Sequence, residues 1–288
     1  MRAKTIKSIL TRKHKELVDS ITDPRVKNLV ANNTIITGGC IVSMLLGEQV
    51  NDFDLYFTDL ETVKAVAEYY VNTFNAANRT TVELREDGGR IKIWVQSAGV
   101  AAESGTNPFE DLEDEDLASK EPTDEDGAKS KYRPIFLTSN AITLSDRVQL
   151  IIRFYGPPDE IHSNYDFAHC TSYYVTDDQS LVLRPAALEA ILAKELIYSG
   201  SKYPVASLIR TRKFIKRGWR INAGQYVKMA LQISELNLRD PNVLEDQLTG
   251  VDFAYFTQVI HYLRERQEKE ANFEITASYL CEVIDRIF

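Results

Sequence analysis

Paired cysteines are missing from this sequence. Its 288 residues hold three, Cys40, Cys170 and Cys281, odd in number and far apart. No disulfide framework is encoded, and no Cys-x-x-Cys or histidine cluster offers a zinc site. Free thiols point to a reducing, cytoplasmic setting. Long apolar runs are missing as well: none reaches membrane-spanning length, although hydrophobic residues make up 44% of the chain. The expectation is a soluble protein with real cores and no membrane partner. Met1–Lys7 is basic, but the charged run from Arg12 to Lys15 interrupts the apolar region a secretory signal would need. The length suits one large or two ordinary domains.

The formal charge of -8 is unevenly placed. Between Glu103 and Asp126 stand eleven acids against the single Lys120, a net of -10 that leaves +2 for the rest. Segment 201–220 carries seven cations, Lys202, Arg210, Arg212, Lys213, Lys216, Arg217 and Arg220, and no acid. A polyanion can bind there despite the acidic total.

Apolar spacing predicts helices over residues 4–31, broken at Asp23-Pro24, then a strand at Thr34–Thr37 and a helix from Ile41 to Leu46 with Gly47 as its cap. A strand at Asp52–Phe57, a helix at Leu60–Phe74 and strands at Thr80–Leu84 and Arg90–Gln96 follow, the last two joined by a Gly88-Gly89 turn. From about 98 to 133 apolar periodicity disappears, and the segment reads as a mobile acidic insertion. It is either a solvated loop or a cover that competes with nucleic acid for the basic surface. Strands resume at Pro134–Leu137, Ala141–Leu144 and Val148–Phe154, a short helical turn follows at Pro158–His162, and Asn164–Tyr174 reads as an apolar, strand-like stretch. After residue 184 the pattern is helical, with candidates at Ala186–Ile197, Val205–Arg217, Ala223–Leu236, Val251–Arg266 and Ser278–Ile287. The expected fold class is α+β: a mixed-sheet domain over 1–184 and a helical domain over 185–288.

Residues 37–57 carry the chemistry. Gly38-Gly39 opens a helix, and a short loop delivers Asp52 and Asp54 on a β-rich segment. Side chains alternate along a strand, so the two carboxylates share one face while Phe53 and Leu55 point into a core. Two adjacent carboxylates repel unless something positive lies between them. Hard oxygen donors favour magnesium, held jointly with substrate phosphates, which is the chemistry of phosphoryl or nucleotidyl transfer. The amides of Gly38, Gly39 and Cys40, at a helix N-terminus, suit a triphosphate.

The pattern resembles the signature of the nucleotidyltransferase superfamily that includes DNA polymerase beta, poly(A) polymerases and CCA-adding tRNA nucleotidyltransferases. It is most similar to the class II tRNA nucleotidyltransferase and bacterial poly(A) polymerase branch, in which Gly-Gly, an apolar helix, Leu-Leu-Gly (here Leu45-Leu46-Gly47), a short loop and Asp-hydrophobic-Asp-Leu follow in order. The resemblance implies a nucleotidyltransferase head with a two-metal magnesium site, or manganese in its place, on Asp52 and Asp54. It also implies an NTP, ATP among the candidates, as donor and tRNA processing as the family's business. Ser43 stands in α-helical register where the family has an arginine beside the nucleotide.

Asp166, in Asn164-Tyr165-Asp166-Phe167-Ala168-His169, is the candidate third acid. A carboxylate among aromatics needs a metal, a cation or a donor. The family's Arg-Arg-Asp-Phe-x-x-Asn-Ala motif matches this stretch in part, which makes Asp166 a nucleotide contact instead of a metal ligand; both roles stay open. Gln149 occupies a strand position where an acid might be expected, and His162 and His169 are candidates for phosphate contact or proton transfer. Residues 207–221 resemble the family's Leu-Arg-x-x-Arg-Phe helix ending in Gly-Phe-x-Ile. Arg210, Lys213 and Arg217, spaced by three and four, share one face, and Leu208, Phe214, Ile215 and Trp219 are its core candidates. The acid and first arginine that select the base in class II enzymes are replaced by Tyr203-Pro204-Val205-Ala206-Ser207, so CCA addition is not specified. The expected activity is transfer of NMP from an NTP to an acceptor hydroxyl, an RNA 3′ end given the basic 201–220 segment. The alternatives are a protein or small-molecule acceptor, or a relative that binds nucleotide without chemistry.

Overall fold

A computed structural model describes residues 1–78, 81–94, 100–101, 131–248, 276, 278–279 and 281. The acidic stretch 103–126 and the expected helix 251–266 lie outside the described residues, as do 280 and 282–287. Two compact units are distinguished, one of Met1–Ser163 with His169–Ile191, the other of Asn164–Ala168 with Leu192–Phe288. No described helix is long and apolar enough to cross a membrane.

The first unit opens with α1 (Ala3–Ser20), which buries Ile6, Leu10, His14 and Leu17 at one-turn spacing. Asp23 stops it and starts α2 (Pro24–Asn32): its carboxylate accepts from the amides of Arg25 and Val26 at 2.8 and 3.0 Å, and Pro24 fills the first position. Strand β1 (Thr34–Thr37) runs into α3 (Gly39–Leu46), closed by Gly47 at φ 77. Strand β2 (Phe53–Phe57) leads to α4 (Leu60–Asn78), whose first turn is capped by Asp59 accepting from the Thr62 amide at 2.7 Å.

Strands β3 (Glu83–Asp87) and β4 (Arg90–Trp94) form a sheet of their own, turned at Gly88 and Gly89, both with positive φ. Strand β3 begins three residues later than the sequence suggests. The main sheet adds β5 (Val100–Ala101), β6 (Pro134–Leu137), β7 (Ala141–Leu144), β8 (Val148–Tyr155), β9 (Tyr173–Val175) and β10 (Ser180–Val182). Its order is β10-β9-β1-β2-β8-β7-β6-β5, antiparallel except where β2 and β8 pair in parallel. The α+β expectation is met by a mixed sheet with helices. One face of that sheet carries Ile36, Phe53, Leu55, Phe57, Leu150 and Ile152, which join Ile6, Leu10, Val66, Tyr70 and Phe74 of the helices in one core. Helix α5 (Pro158–His162), a 3-10 turn (Ala168–Cys170) and α6 (Pro185–Ala193) complete the described elements before the C-terminal ones.

The second unit holds α7 (Pro204–Lys216), α8 (Ala223–Ser234) and α9 (Pro241–Leu248). Asn164–Phe167 is not the strand that its composition suggests. Its backbone bonds are taken by a neighbouring segment: Ser199 donates to the Asp166 carbonyl at 2.8 Å and Ala168 to that of Ile197 at 3.0 Å. Phe167, Phe214 and Trp219 stack edge-to-face in sequence, with centroids 5.7 and 6.0 Å apart. Leu208 and Ile215, expected in the core, are exposed, and Val205, Ala206, Ser207 and Thr211 are the buried face of α7.

Candidate functional site

Register places the candidate residues of the first unit side by side. Thr37, the last residue of β1, is the antiparallel partner of Asp54, and Asp54 is the parallel partner of Gln149, which in turn pairs with Thr143 on β7. Paired positions share a face, so Asp54 lies in a row Thr37–Asp54–Gln149–Thr143 on the face opposite Phe53 and Leu55. Gln149 therefore stands beside Asp54, at the position that sequence reading marked for an acid, and it contributes an amide there.

The chain leaves β1 through Gly38 at φ 91 and ψ -149, a conformation essentially restricted to glycine. Helix α3 starts at the next residue. The first amides of a helix have no partner within it and carry its positive dipole end, and Asp52 and Asp54 both act on that end. Burial raises the Cys40 thiol well above its usual range, and the charges of Asp54 and then Asp52 raise it further. Cys40 Sγ donates to the Thr37 carbonyl at 3.6 Å. Burial and the two carboxylates thus favour its neutral thiol form. Ser43 is buried inside α3, and its carbonyl accepts from the Glu48 amide at 2.8 Å.

The two glycines serve different purposes. Gly38 is needed for its backbone angles. Gly39 has no such need: a Cβ built there meets nothing within 4 Å, so glycine leaves an open surface at the helix start. Gly38→Ala is expected to cost about 1–3 kcal/mol in chemical denaturation. Gly39→Ala is expected to leave stability unchanged, because its methyl enters open space.

Thr37 is braced in a way that local sequence does not signal. Its hydroxyl lies 2.8 Å from His162 Nε2 and 2.9 Å from the Ser172 carbonyl, so it donates to the carbonyl and accepts from the imidazole. Burial, reinforced by the Arg184 cation and opposed by Asp159, pushes His162 down to about 4. Arg184 pairs with Asp159 and lies over the Tyr173 ring at 5.3 Å. A buried imidazole, favoured in its neutral form, supports the turn. His169 is fully buried too. Because the folded value lies below the ordinary 6.5, the unfolded chain binds the proton more readily, and stability present above pH 6.5 falls as pH drops toward 4. Buried His14, also lowered, adds to this. The thermal midpoint is expected to decline between pH 6.5 and 5, less steeply in His162→Gln, which keeps a donor for Thr37.

The second unit brings together Asp166 and Arg210. Their ion pair is 13% and 23% exposed, so the cation that the buried carboxylate requires comes from α7. Tyr198 is pushed up to about 12 by burial and by the Asp166 charge. Lys213 and Arg217 follow on α7 and its C-terminal cap, with Lys213 exposed and Arg217 half-buried.

A family model described as Gabija anti-defense 2 family protein matches residues 8–194, which include the glycine turn, Asp52 and Asp54. The chain belongs to the Gabija anti-defense 2 family. A curated relative, Gabija anti-defense 2 of Bacillus phage SPbetaL7, is 18% identical over 272 residues, covering 91% of this chain and 54% of the relative. This member thus spans about half the length of the curated relative it matches. Among solved structures, a Thermotoga maritima CCA-adding enzyme complexed with tRNA is 13% identical, with 92% of this chain and 57% of that one covered at a TM-score of 0.40. A Bacillus stearothermophilus CCA-adding enzyme in complex with CTP is 12% identical, with 85% and 51% covered at 0.39. Likenesses of that size leave the functional argument for this family member on its own residues.

Among the described residues, no group of three His, Cys, Asp or Glu could hold a metal ion. Asp52 and Asp54 provide two hard oxygen donors near enough to act on Cys40, the residue after the open Gly39. That donor set fits magnesium shared with nucleotide phosphates, and does not fit a metal caged by protein alone.

Proposed function

We propose that the chain is a magnesium-dependent nucleotidyltransferase. The single observation that carries this is the pairing of Thr37 with Asp54, which sets the Gly38-Gly39 turn next to the carboxylate strand. The α3 N-terminus cradles the triphosphate, with Gly39 clear for it. Asp52 and Asp54 would hold magnesium, which supplies charge neutralisation on the phosphates. The acceptor hydroxyl oxygen attacks the α-phosphorus in line, the bond to the β-phosphate breaks, pyrophosphate leaves and the hydroxyl proton goes to solvent. Positioning and electrostatics supply most of the acceleration.

For the acceptor, the cations of α7 support an RNA 3′ end. A second reading is a protein hydroxyl, which fits the family's description, since a component of the defence system is one target such a protein can take. Incubation with each labelled NTP in turn, plus magnesium and either RNA or protein from cells carrying the Gabija defence, separates the two. Label in RNA supports the first, and label in protein the second. Magnesium-dependent NTP binding with label in neither fraction would make the chain a binder and overturn the proposal.

A further inference from the structure

A cleft of about 420 Å³ in the first unit lies between α1, the loop before β2 and the β7–β8 turn. Ile9, Val50 and Phe53 give it an apolar floor, and Arg12, Lys13 and Arg147 bring three cations against Glu16 and Asp146. Both acids have work in the cleft wall. Glu16 accepts from the Tyr132 hydroxyl at 3.1 Å, and Asp146 from the Ser145 hydroxyl and Tyr132 amide at 3.3 and 3.4 Å. Lys13 donates to the Asp146 carbonyl and rests over the rings of Tyr132 and Phe53 at 4.9 and 5.2 Å. Burial lowers its pKa, against the pull of Asp146 and Glu16. An arriving anion would offset that cost.

The turn itself is unusual. Asp146 and Arg147 both take left-handed backbone angles, φ 61 and 59, where glycine or asparagine is the easy choice. Holding an arginine there costs strain, and strain of this kind clusters where a side chain is needed. Arg147 also donates to the Val50 carbonyl at 3.2 Å, and its own carbonyl accepts from the Phe53 amide at 2.8 Å. It thereby ties the turn to the loop that presents Asp52.

Positive charge continues past the cleft. Residues 1–15 contain six cations, Arg2, Lys4, Lys7, Arg12, Lys13 and Lys15, and no acid, and all but Lys13 are exposed. From Lys4 to Lys15 is about 17 Å of helix, more than a single phosphate needs and enough for a few nucleotides of a strand. We infer that α1 and this cleft bind the phosphate backbone of an RNA strand, with one phosphate seated among Arg12, Lys13 and Arg147. The site is separate from the cations of α7. It shares with the proposed transfer only the idea of an RNA partner.

The test is binding of a labelled single-stranded RNA 20-mer to the full chain by fluorescence anisotropy across a salt series, in EDTA so that neither metal nor transfer is involved. Each phosphate contact on a single strand contributes about 0.7 to the slope of log affinity against log salt. Arg12→Ala with Arg147→Gly is therefore expected to flatten the slope by about 1.4 and to weaken binding about 25-fold at 0.1 M salt. Glycine suits the turn's angles and alanine suits an exposed helix position, so the fold should survive, checked by circular dichroism. The exposed Lys64→Ala on α4 serves as a control for loss of a surface cation elsewhere on the same unit, with affinity and slope unchanged. A double variant that binds RNA like the parent overturns the inference, whatever the transfer assay shows. So does full displacement of RNA from the parent by millimolar ATP with a parental slope near 0.7, which would mark a small-phosphate site.

Discussion

Asp54→Asn is expected to abolish nucleotide transfer, lowering its rate about 10³-fold or more, while the protein stays folded. Metal-borne charge neutralisation at the reacting phosphates contributes several kcal/mol, and about 1.4 kcal/mol is tenfold in rate. Asparagine keeps the shape of the side chain but removes the charge that would recruit the ion. Asp54 is half-buried on a strand whose flanking Phe53 and Leu55 hold the core contacts, so the thermal midpoint should move by no more than a few degrees. A rate loss with a retained midpoint would be read by transfer of labelled nucleotide beside circular dichroism melting. A comparable loss is expected for Asp52→Asn, and the pair should be far from additive, since each carboxylate alone fails to hold the ion.

Arg210→Ala is expected to have the largest effect on stability, about 3 kcal/mol lost from the second unit. The variant strands the Asp166 carboxylate, 13% exposed and close to Tyr198, without its cation; removing one member of a buried pair costs about 3–5 kcal/mol. Chemical denaturation measures this. Adding Asp166→Asn to Arg210→Ala should recover part of the loss, because no buried charge is left over. The same pair separates the two roles open for Asp166. A positioning partner of Arg210 loses stability on substitution and keeps much of its transfer rate, whereas a metal ligand loses transfer as completely as Asp54.

What could be read from sequence was local. The Gly38-Gly39 turn, the cap at Gly47 and the alternation from Asp52 to Leu55 lie within twenty residues, where angle preferences and strand period act directly. Asp23-Pro24 was legible for the same reason. The support around the site was not, because it depends on register between distant segments. Thr37 meets His162 across 125 residues of chain, and Gln149 stands next to Asp54 only because β8 joins β2 in parallel. Asp166 advertised its need for a partner by its aromatic neighbours, yet nothing nearby named Arg210. Asn164–Phe167 misled through composition: its Phe167 packs on Tyr198 and Phe214, and the 197–199 segment takes its backbone bonds. In α7, helical period assigned Leu208 and Ile215 to a core that lies on the Val205–Thr211 side.

The most direct test of nucleotidyl transfer uses the position of the label. Parallel reactions with magnesium and the accepting fraction would contain each NTP labelled at either the α- or the γ-phosphate. The α-label is expected to appear in the acceptor and the γ-label in released pyrophosphate, with both lost in Asp54→Asn. Label from the γ-position in the acceptor, or transfer that survives Asp54→Asn, would contradict the account.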